Sequence, residues 1–253
     1  MNLSALSQKQ ILVEIASHCV QSALAAQAGG ADRVELLSNP DEGGVTPSEG
    51  LMAVARERLT IDLHVMIRPR GGDFCYTDSE VEIMLRDIGV AKRIGANGVV
   101  IGAVDADGAV DMERTRQLVA GARPMSVTFH RAIDVCNDLR AALQNLISCG
   151  VDRVLSSGGA ATAIEGAVRL ESLVQLAGHQ ISVIAAGRVR PDNVAAIVRQ
   201  TGVREIHAGL RSPMPFRQSA HHPAISFGFR RWFETMLVQE QDVRRLVEQV
   251  EPL

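Results

Sequence analysis

Apolar and polar positions along this chain follow two alternating rhythms. Short runs rich in β-branched residues, at positions 11–15, 61–67, 125–129 and 181–185, are separated by stretches with helical spacing. Between them one pattern recurs four times. It reads Gly30-Ala31-Asp32-Arg33-Val34-Glu35-Leu36, then Gly95-Ala96-Asn97-Gly98-Val99-Val100-Ile101, then Gly150-Val151-Asp152-Arg153-Val154-Leu155, and last Gly202-Val203-Arg204-Glu205-Ile206-His207. Each copy follows a helical stretch. A glycine able to take the left-handed backbone ends the helix, a short polar turn follows, and a β-branched strand begins. The pattern therefore predicts eight strands, each followed by a helical segment. Alternating strands and helices imply a parallel sheet. Eight in a row favour closure into a (β/α)8 TIM barrel, an α/β fold, because closure leaves no unpaired edge.

Helix starts are also legible. Thr46-Pro47-Ser48-Glu49 offers a capping box with Pro at the first helical position. Thr77-Asp78-Ser79-Glu80 offers a second, opening a helix that runs towards Ile94. Asp111, and Asn137 or Asp138, can cap later helices, and Arg190-Pro191-Asp192-Asn193 begins another. Residues 211–229 read as irregular, with three Pro and the pair His221-His222. A final helix is expected over about residues 230–250, packed on the barrel or on a partner chain. The expected organisation is a loose N-terminal arm, residues 1–10, and one barrel domain, residues 11–253, including that C-terminal helix.

Composition narrows the picture. A length of 253 residues suits one barrel. With 46% hydrophobic but only 3% aromatic residues, the core must be built from Val, Ile, Leu and Ala, the side chains that fill parallel strands covered on both faces. A net charge of −3 without a Lys/Arg stripe speaks against nucleic acid as partner. Apolar runs fall far short of the roughly 20 residues of a membrane span, so no membrane is expected. No leader is read near the N-terminus, where Ile11-Leu12-Val13 runs into Glu14, and a cytoplasmic protein is expected. Cys19, Cys75, Cys136 and Cys149 form no C-x-x-C pair and read as free thiols.

In this fold, chemistry gathers where strands end. Glu14 and Glu35 sit inside apolar strands. On the lumen side near the top of a barrel such a carboxylate meets an arginine or a ligand. Strand 3 ends in Arg68-Pro69-Arg70-Gly71-Gly72-Asp73-Phe74, with two guanidinium groups and a further acid. Strand 5 ends in His130-Arg131-Ala132-Ile133-Asp134; His130 suits acid/base work near neutral pH, and Asp134 could orient it. A Glu–Arg pair inside a barrel can equally serve only to hold its top layer together. Strands 6, 7 and 8 end in small residues. Gly158, Gly187 and Gly209, with Arg188 and Arg211, form a candidate phosphate or carboxylate site, although Gly also simply makes tight turns.

The runs Glu42-Gly43-Gly44-Val45-Thr46-Pro47-Ser48, Ile67-Arg68-Pro69-Arg70-Gly71-Gly72-Asp73-Phe74-Cys75-Tyr76 and Val127-Thr128-Phe129-His130-Arg131-Ala132, together with the glycine-led second strand, resemble the CutC family over about residues 11–217. The resemblance implies a TIM barrel, a cytoplasmic location, a homodimer or higher homo-oligomer, and an association with copper homeostasis; it implies no particular reaction. Its two glutamates, its R-P-R-G-G-D-F loop and its H-R-A turn are intact here. Two cysteines proposed to hold copper in some members would fall two residues after each glutamate. Ala16 and Leu37 stand at those positions, and neither can ligate a metal. Cu(I) prefers thiolates, which leaves Cys19, Cys75 and Cys136, each shortly after an odd-numbered strand, as weak metal candidates; His18, His64 and His207 lack ligand spacing. Two functions from different classes follow. One is a site, catalytic or not, for a small anionic molecule, with Glu14, Glu35 or His130 moving protons and Arg68 and Arg70 holding charge. The other is a non-catalytic protein that binds a copper ion. A scaffold whose last helix serves only assembly is a weaker third.

Overall fold

The computed structural model describes residues 11–214, 235–251 and 253. The expected N-terminal arm, His221-His222 and most of the Pro-containing stretch lie outside the described residues. Eight parallel strands form a closed ring in sequence order: β1 (Leu12–Ser17), β2 (Arg33–Leu36), β3 (Asp62–Met66), β4 (Gly98–Ile101), β5 (Ser126–Phe129), β6 (Arg153–Ser156), β7 (Ser182–Ala185) and β8 (Glu205–Ala208). Pairing of β8 with β1 closes it. The helices between them are α1 (Val20–Ala28), α2 (Glu49–Arg58), α3 (Asp78–Ile94), α4 (Met112–Ala122), α5 (Leu139–Ser148), α6 (Ala167–Ala177) and α7 (Val194–Thr201).

The glycine-led repeat has a physical basis on both sides of the turn. Gly30, Gly95, Gly150 and Gly202 all have positive φ, the conformation that stops a helix and that a Cβ resists. The polar residue two positions later then ties down the preceding strand. Asp32 Oδ2 accepts from Val13 N–H at 2.8 Å, Asn97 Oδ1 from Leu63 N–H at 3.0 Å, and Asp152 Oδ2 from Val127 N–H at 2.7 Å. In the fourth copy the residue is Arg204, which has no acceptor side chain; its backbone carbonyl takes the Leu12 N–H instead.

Helix starts follow the sequence with two adjustments. Thr77 and Glu80 form the reciprocal capping box of α3, and Asp111 caps α4. The cap of α2, however, is Ser48, whose Oγ accepts from Leu51 N–H, so Pro47 precedes the helix. Thr46 is drawn away because its Oγ1 accepts from the Arg68 backbone N–H. Of the alternatives Asn137 and Asp138, Asp138 caps α5.

The C-terminal region departs further from expectation. Arg211–Met214 is a strand, β9, paired antiparallel with β10 (Thr235–Val238). The eighth strand is thus followed first by this ribbon, and the last helix, α8 (Glu240–Val250), begins well after residue 230. It is the missing eighth helix of the barrel, packed against both α7 and α1. Val243, Leu246, Val247 and Val250 form its buried face, worth roughly 1.5–3 kcal/mol for each side chain fully removed from water. The contact is close enough that a Cβ on Gly29 would overlap Val243. Among the described residues, no helix is long and apolar enough to cross a membrane.

The hydrophobic core lies between the strand ring and the helices, where Ile15, Leu36, Leu63, Ile101, Phe129 and Leu143 are fully buried. The lumen is different. Strand alternation and the observed register put Glu14, Arg33, Glu35, His64, Arg153, Glu205 and His207 on the inner face. Leu37, Met66 and Val100, packed with Ala16, and opposite them Leu155, Ile184 and Ala186, form small apolar groups within the ring.

Candidate functional site

Charges buried in a lumen must be compensated in place, because their desolvation cost exceeds what an isolated charge can recover. Arg33 provides the compensation. Its Nε donates to Glu14 at 2.5 Å and its Nη2 to Glu205 at 2.6 Å; Glu205 also accepts from Arg153 at 3.3 Å and from Ser182 Oγ at 2.7 Å. Two guanidinium groups and two carboxylates balance. Arg33 and the other charges attracted to Glu14 hold its carboxyl far below the usual range against the opposing effect of burial. Glu14 is therefore a fixed anion within the barrel, and its partner is Arg33 of the adjacent strand.

Glu14 has a second function in this arrangement. Its Oε1 accepts from His207 Nδ1 at 2.7 Å. The remaining ring nitrogen, Nε2, then stands 3.9 Å from Glu35 Oε2. Glu35 is buried and has no arginine partner among the described residues. Burial pushes its pKa up to about 7, reinforced by the neighbouring Glu14 and opposed by His207 and Arg33. His207 is pulled down by burial, but Glu35 and Glu14 more than offset this, and its net shift is upward. Burial thus strengthens the hold of Glu35 on its proton, and the two carboxylates strengthen that of His207. Glu14 and Glu35, alike in sequence context, are thus separated by their neighbours: one is locked and the other is poised.

Glu35 and His207 open on a cavity of about 210 Å³ at the C-terminal end of the strands, whose other walls include Met66, Arg68, Phe74 and His130. Arg68 is 4% exposed and makes no ion pair with a carboxylate among the described residues. Its Nη1 donates to the Glu42 and Gly44 carbonyls at 2.8 and 3.0 Å and its Nη2 to the Gly72 carbonyl at 2.7 Å, while its buried Nε has no partner. Its guanidinium lies 4.9 Å from the centre of the Phe74 ring, which in turn lies 4.9 Å from the His130 ring.

His130 does not play the acid/base part suggested by its type. Its Nδ1 accepts from the Ala132 backbone N–H at 3.1 Å, so a neutral ring carries its proton on Nε2. Burial first, and the Arg68 guanidinium second, push its pKa down to about 3. The Nε2 atom is buried without a partner. His130, which lines the cavity, is a neutral imidazole with its proton on Nε2. Gly102 makes room for it, since a Cβ there would overlap the imidazole. Gly102→Ala is expected to cost about 1–3 kcal/mol through overpacking against the imidazole, as read by denaturant unfolding; unchanged stability would contradict this packing.

Other candidate residues are placed elsewhere. Asp134 does not touch His130. Its carboxylate accepts from Ser156 Oγ at 2.6 Å, Ser157 N–H at 3.0 Å, Ser157 Oγ at 2.9 Å, Gly159 N–H at 3.0 Å and Arg131 Nε at 2.7 Å. The amide-lined turn after β6, expected around Gly158 to receive a phosphate, thus holds the chain's own carboxylate. Arg70 and Asp73 are not on the cavity wall either. Arg70 donates to Glu80 at 2.5 Å, to Asp73 at 3.1 Å and to the Gly71, Asp73 and Cys75 carbonyls, so these residues build the loop that presents Arg68 and Phe74. Gly187, exposed Arg188 and Gly209 do not line the cavity. Arg211 lines a separate depression with Arg190 and Arg245 and pairs with Asp41 at 3.1 Å. His207 and Arg33 had no motif to mark them; the signal available in sequence was a charged or imidazole side chain inside a glycine-led strand, repeated at Glu205-Ile206-His207.

Copper fits these positions poorly. Ala16 and Leu37 occupy apolar lumen sites beside Met66 and Val100. Among the described residues, no group of three candidate ligands includes a cysteine; the group found is Glu14, Glu35 and His207. Cys19 caps α1 through Sγ, Cys75 is exposed, and Cys136 is pushed up to about 11 by burial and the nearby Asp105 and Asp134. A three-thiolate site is therefore absent among the described residues.

Comparison with known proteins agrees with this architecture. The CutC family model matches residues 11–212. A family protein CutC of Xanthomonas campestris pv. campestris is 48% identical over 214 residues, covering 85% of this chain and 89% of that protein. One from Chromobacterium violaceum is 49% identical over 217 residues, covering 86% and 88%. The crystal structure of CutC from Streptococcus agalactiae superposes with a TM-score of 0.75 at 32% identity, covering 78% of this chain and 97% of that one. A thiamine phosphate pyrophosphorylase from Pyrococcus furiosus, with a TM-score of 0.59 at 17% identity, shares the fold alone. By the extent and identity of these matches, this chain belongs to the CutC family.

Proposed function

We propose that the mouth of the barrel binds a small anionic metabolite. The observation that carries this reading is Arg68: a buried guanidinium at the edge of a cavity, hydrogen-bonded to three backbone carbonyls and paired with no carboxylate among the described residues. A buried cation without a counter-charge is costly, and an incoming carboxylate or phosphate supplies one. His130 Nε2–H adds a neutral donor on the same wall. The volume of about 210 Å³ is below the range of roughly 300–1,000 Å³ typical of drug-sized pockets, so the occupant is small. Copper handling, which the family association suggests, needs soft ligands that Ala16, Leu37 and the dispersed cysteines do not supply; the donor set favours an anion.

Titration calorimetry with oxalate and with 2-phosphoglycolate tests the proposal. At least one is expected to bind, and Arg68→Met is expected to weaken that binding tenfold or more. Because Arg68 also holds three carbonyls, the variant's fold is checked by circular dichroism, and His130→Leu provides a second loss of a wall donor. Failure of both anions to bind the wild-type protein would refute the reading.

A further inference from the structure

We propose that the site catalyses enolisation of a small anion bearing a carbonyl group, with Glu35 as the base and His130 as the donor to the forming oxyanion. This rests on the anion-binding reading above. Three residues suited to such a reaction line one cavity: Glu35, whose carboxylate has no arginine partner among the described residues; His130, whose buried Nε2 has no acceptor among them; and Arg68, a buried guanidinium with no carboxylate partner among them.

The step balances without a further reactant. A C–H bond next to the carbonyl breaks, and its proton goes to a Glu35 carboxylate oxygen. The electron pair moves into the carbonyl, which becomes an enolate. The developing negative charge on oxygen accepts a hydrogen bond from His130 Nε2–H. Glu35 then trades this proton with solvent and returns a solvent-derived one to the same carbon, which gives exchange. Arg68 holds the anionic group throughout.

The electrostatics match these roles. A base poised near the working pH is the most effective, and burial together with Glu14 raises Glu35 into that range. A neutral imidazole, with its lone pair engaged by a backbone N–H, polarises a carbonyl without already being protonated, and His130 is held in that form by the Ala132 N–H. Glu14 is a positioning residue: through His207 Nδ1 it directs Nε2 towards Glu35.

Proton NMR in D2O tests the proposal with pyruvate and dihydroxyacetone phosphate as probes. The wild-type protein is expected to exchange the C–H protons of at least one of them. Glu35→Gln is expected to lose this exchange by about 10²–10⁴-fold, the usual contribution of a general base, while still binding oxalate or 2-phosphoglycolate. Glu35→Asp, which keeps the base but withdraws it, is expected to retain a reduced rate and covers the case in which the Gln variant does not fold. If wild type binds either anion yet exchanges neither probe, or if Glu35→Gln exchanges as fast as wild type, the proposed catalysis is overturned and the binding reading stands. If neither anion binds, the binding reading falls and this one with it.

Discussion

Replacing Arg33 by Met is expected to lower the melting temperature by roughly 6–20 °C. Arg33 is the hub of the lumen, bonded to both Glu14 and Glu205 at 4% exposure. Met keeps much of the length but removes every donor. Glu14 is then left with His207, and Glu205 with Arg153 and Ser182. Stripping one partner from a buried ion pair costs about 3–5 kcal/mol, and 1 kcal/mol corresponds to about 2–4 °C in a domain of this size. Removing the stranded charge as well, in Arg33→Met with Glu14→Gln, is expected to recover part of the loss. Calorimetric melting of the three proteins decides this. A fall below about 2 °C in the single variant would show that the pair is not buried as described.

Acid is expected to destabilise the fold in two stages with a break near pH 4.5. His64 and His130 are both pushed from 6.5 down to about 3, each chiefly by burial. In the unfolded chain they protonate below about 6.5 and in the native protein they do not, so each contributes stability that is lost as pH falls below 6.5. Glu35 acts in the opposite direction. Its native value of about 7 exceeds its reference of 4.5, so between those values the native state holds the extra proton. His207, raised in the native state, is protonated in both states below 6.5 and does not contribute there. From pH 6.5 to 4.5 the unfolded state therefore binds a net one proton more from these groups, a slope of roughly 1 kcal/mol per pH unit.

Below pH 4.5 the balance changes. Glu35 is then protonated in both states, and Glu14, held far below its usual range, is protonated only in the unfolded one. The net difference becomes three protons, roughly 4 kcal/mol per pH unit. Urea midpoints measured from pH 7 to 3.5 report both slopes. In His64→Gln the upper slope is expected to fall by the contribution of one proton. A single uniform slope in the wild-type protein would contradict the assignment.

Much of the barrel could be read from residue order because its causes are local. Gly30, Gly95, Gly150 and Gly202 end helices by their own backbone freedom, and Asp32, Asn97 and Asp152 cap the preceding strands from a fixed position in the repeat. Thr77 with Glu80 and Asp111 cap within three residues. Thr46 shows where this reasoning stops. It has the right side chain for a cap, but a partner distant in sequence, Arg68, takes its hydroxyl. The ribbon of β9 and β10 is another case, because a strand pairing depends on residues that do not adjoin.

For the site, residue order places Glu35, Arg68 and His130 towards the C-terminal ends of strands, and all three line the cavity, whereas Glu14 lies deeper, in the lumen beside Arg33. Their chemical states were decided only by the tertiary structure. Whether a carboxylate is locked or poised depends on which neighbours reach it, and those neighbours come from other strands: Arg33 and His207 are hydrogen-bonded to Glu14, whereas His207 stands 3.9 Å from Glu35. Likewise the Asp134 carboxylate found amides after β6 rather than the nearby His130. Hydrophobic periodicity is averaged over many residues and survives in the linear pattern, whereas the charge on a buried group is set by contacts within a few ångströms, which exist only once the ring has closed.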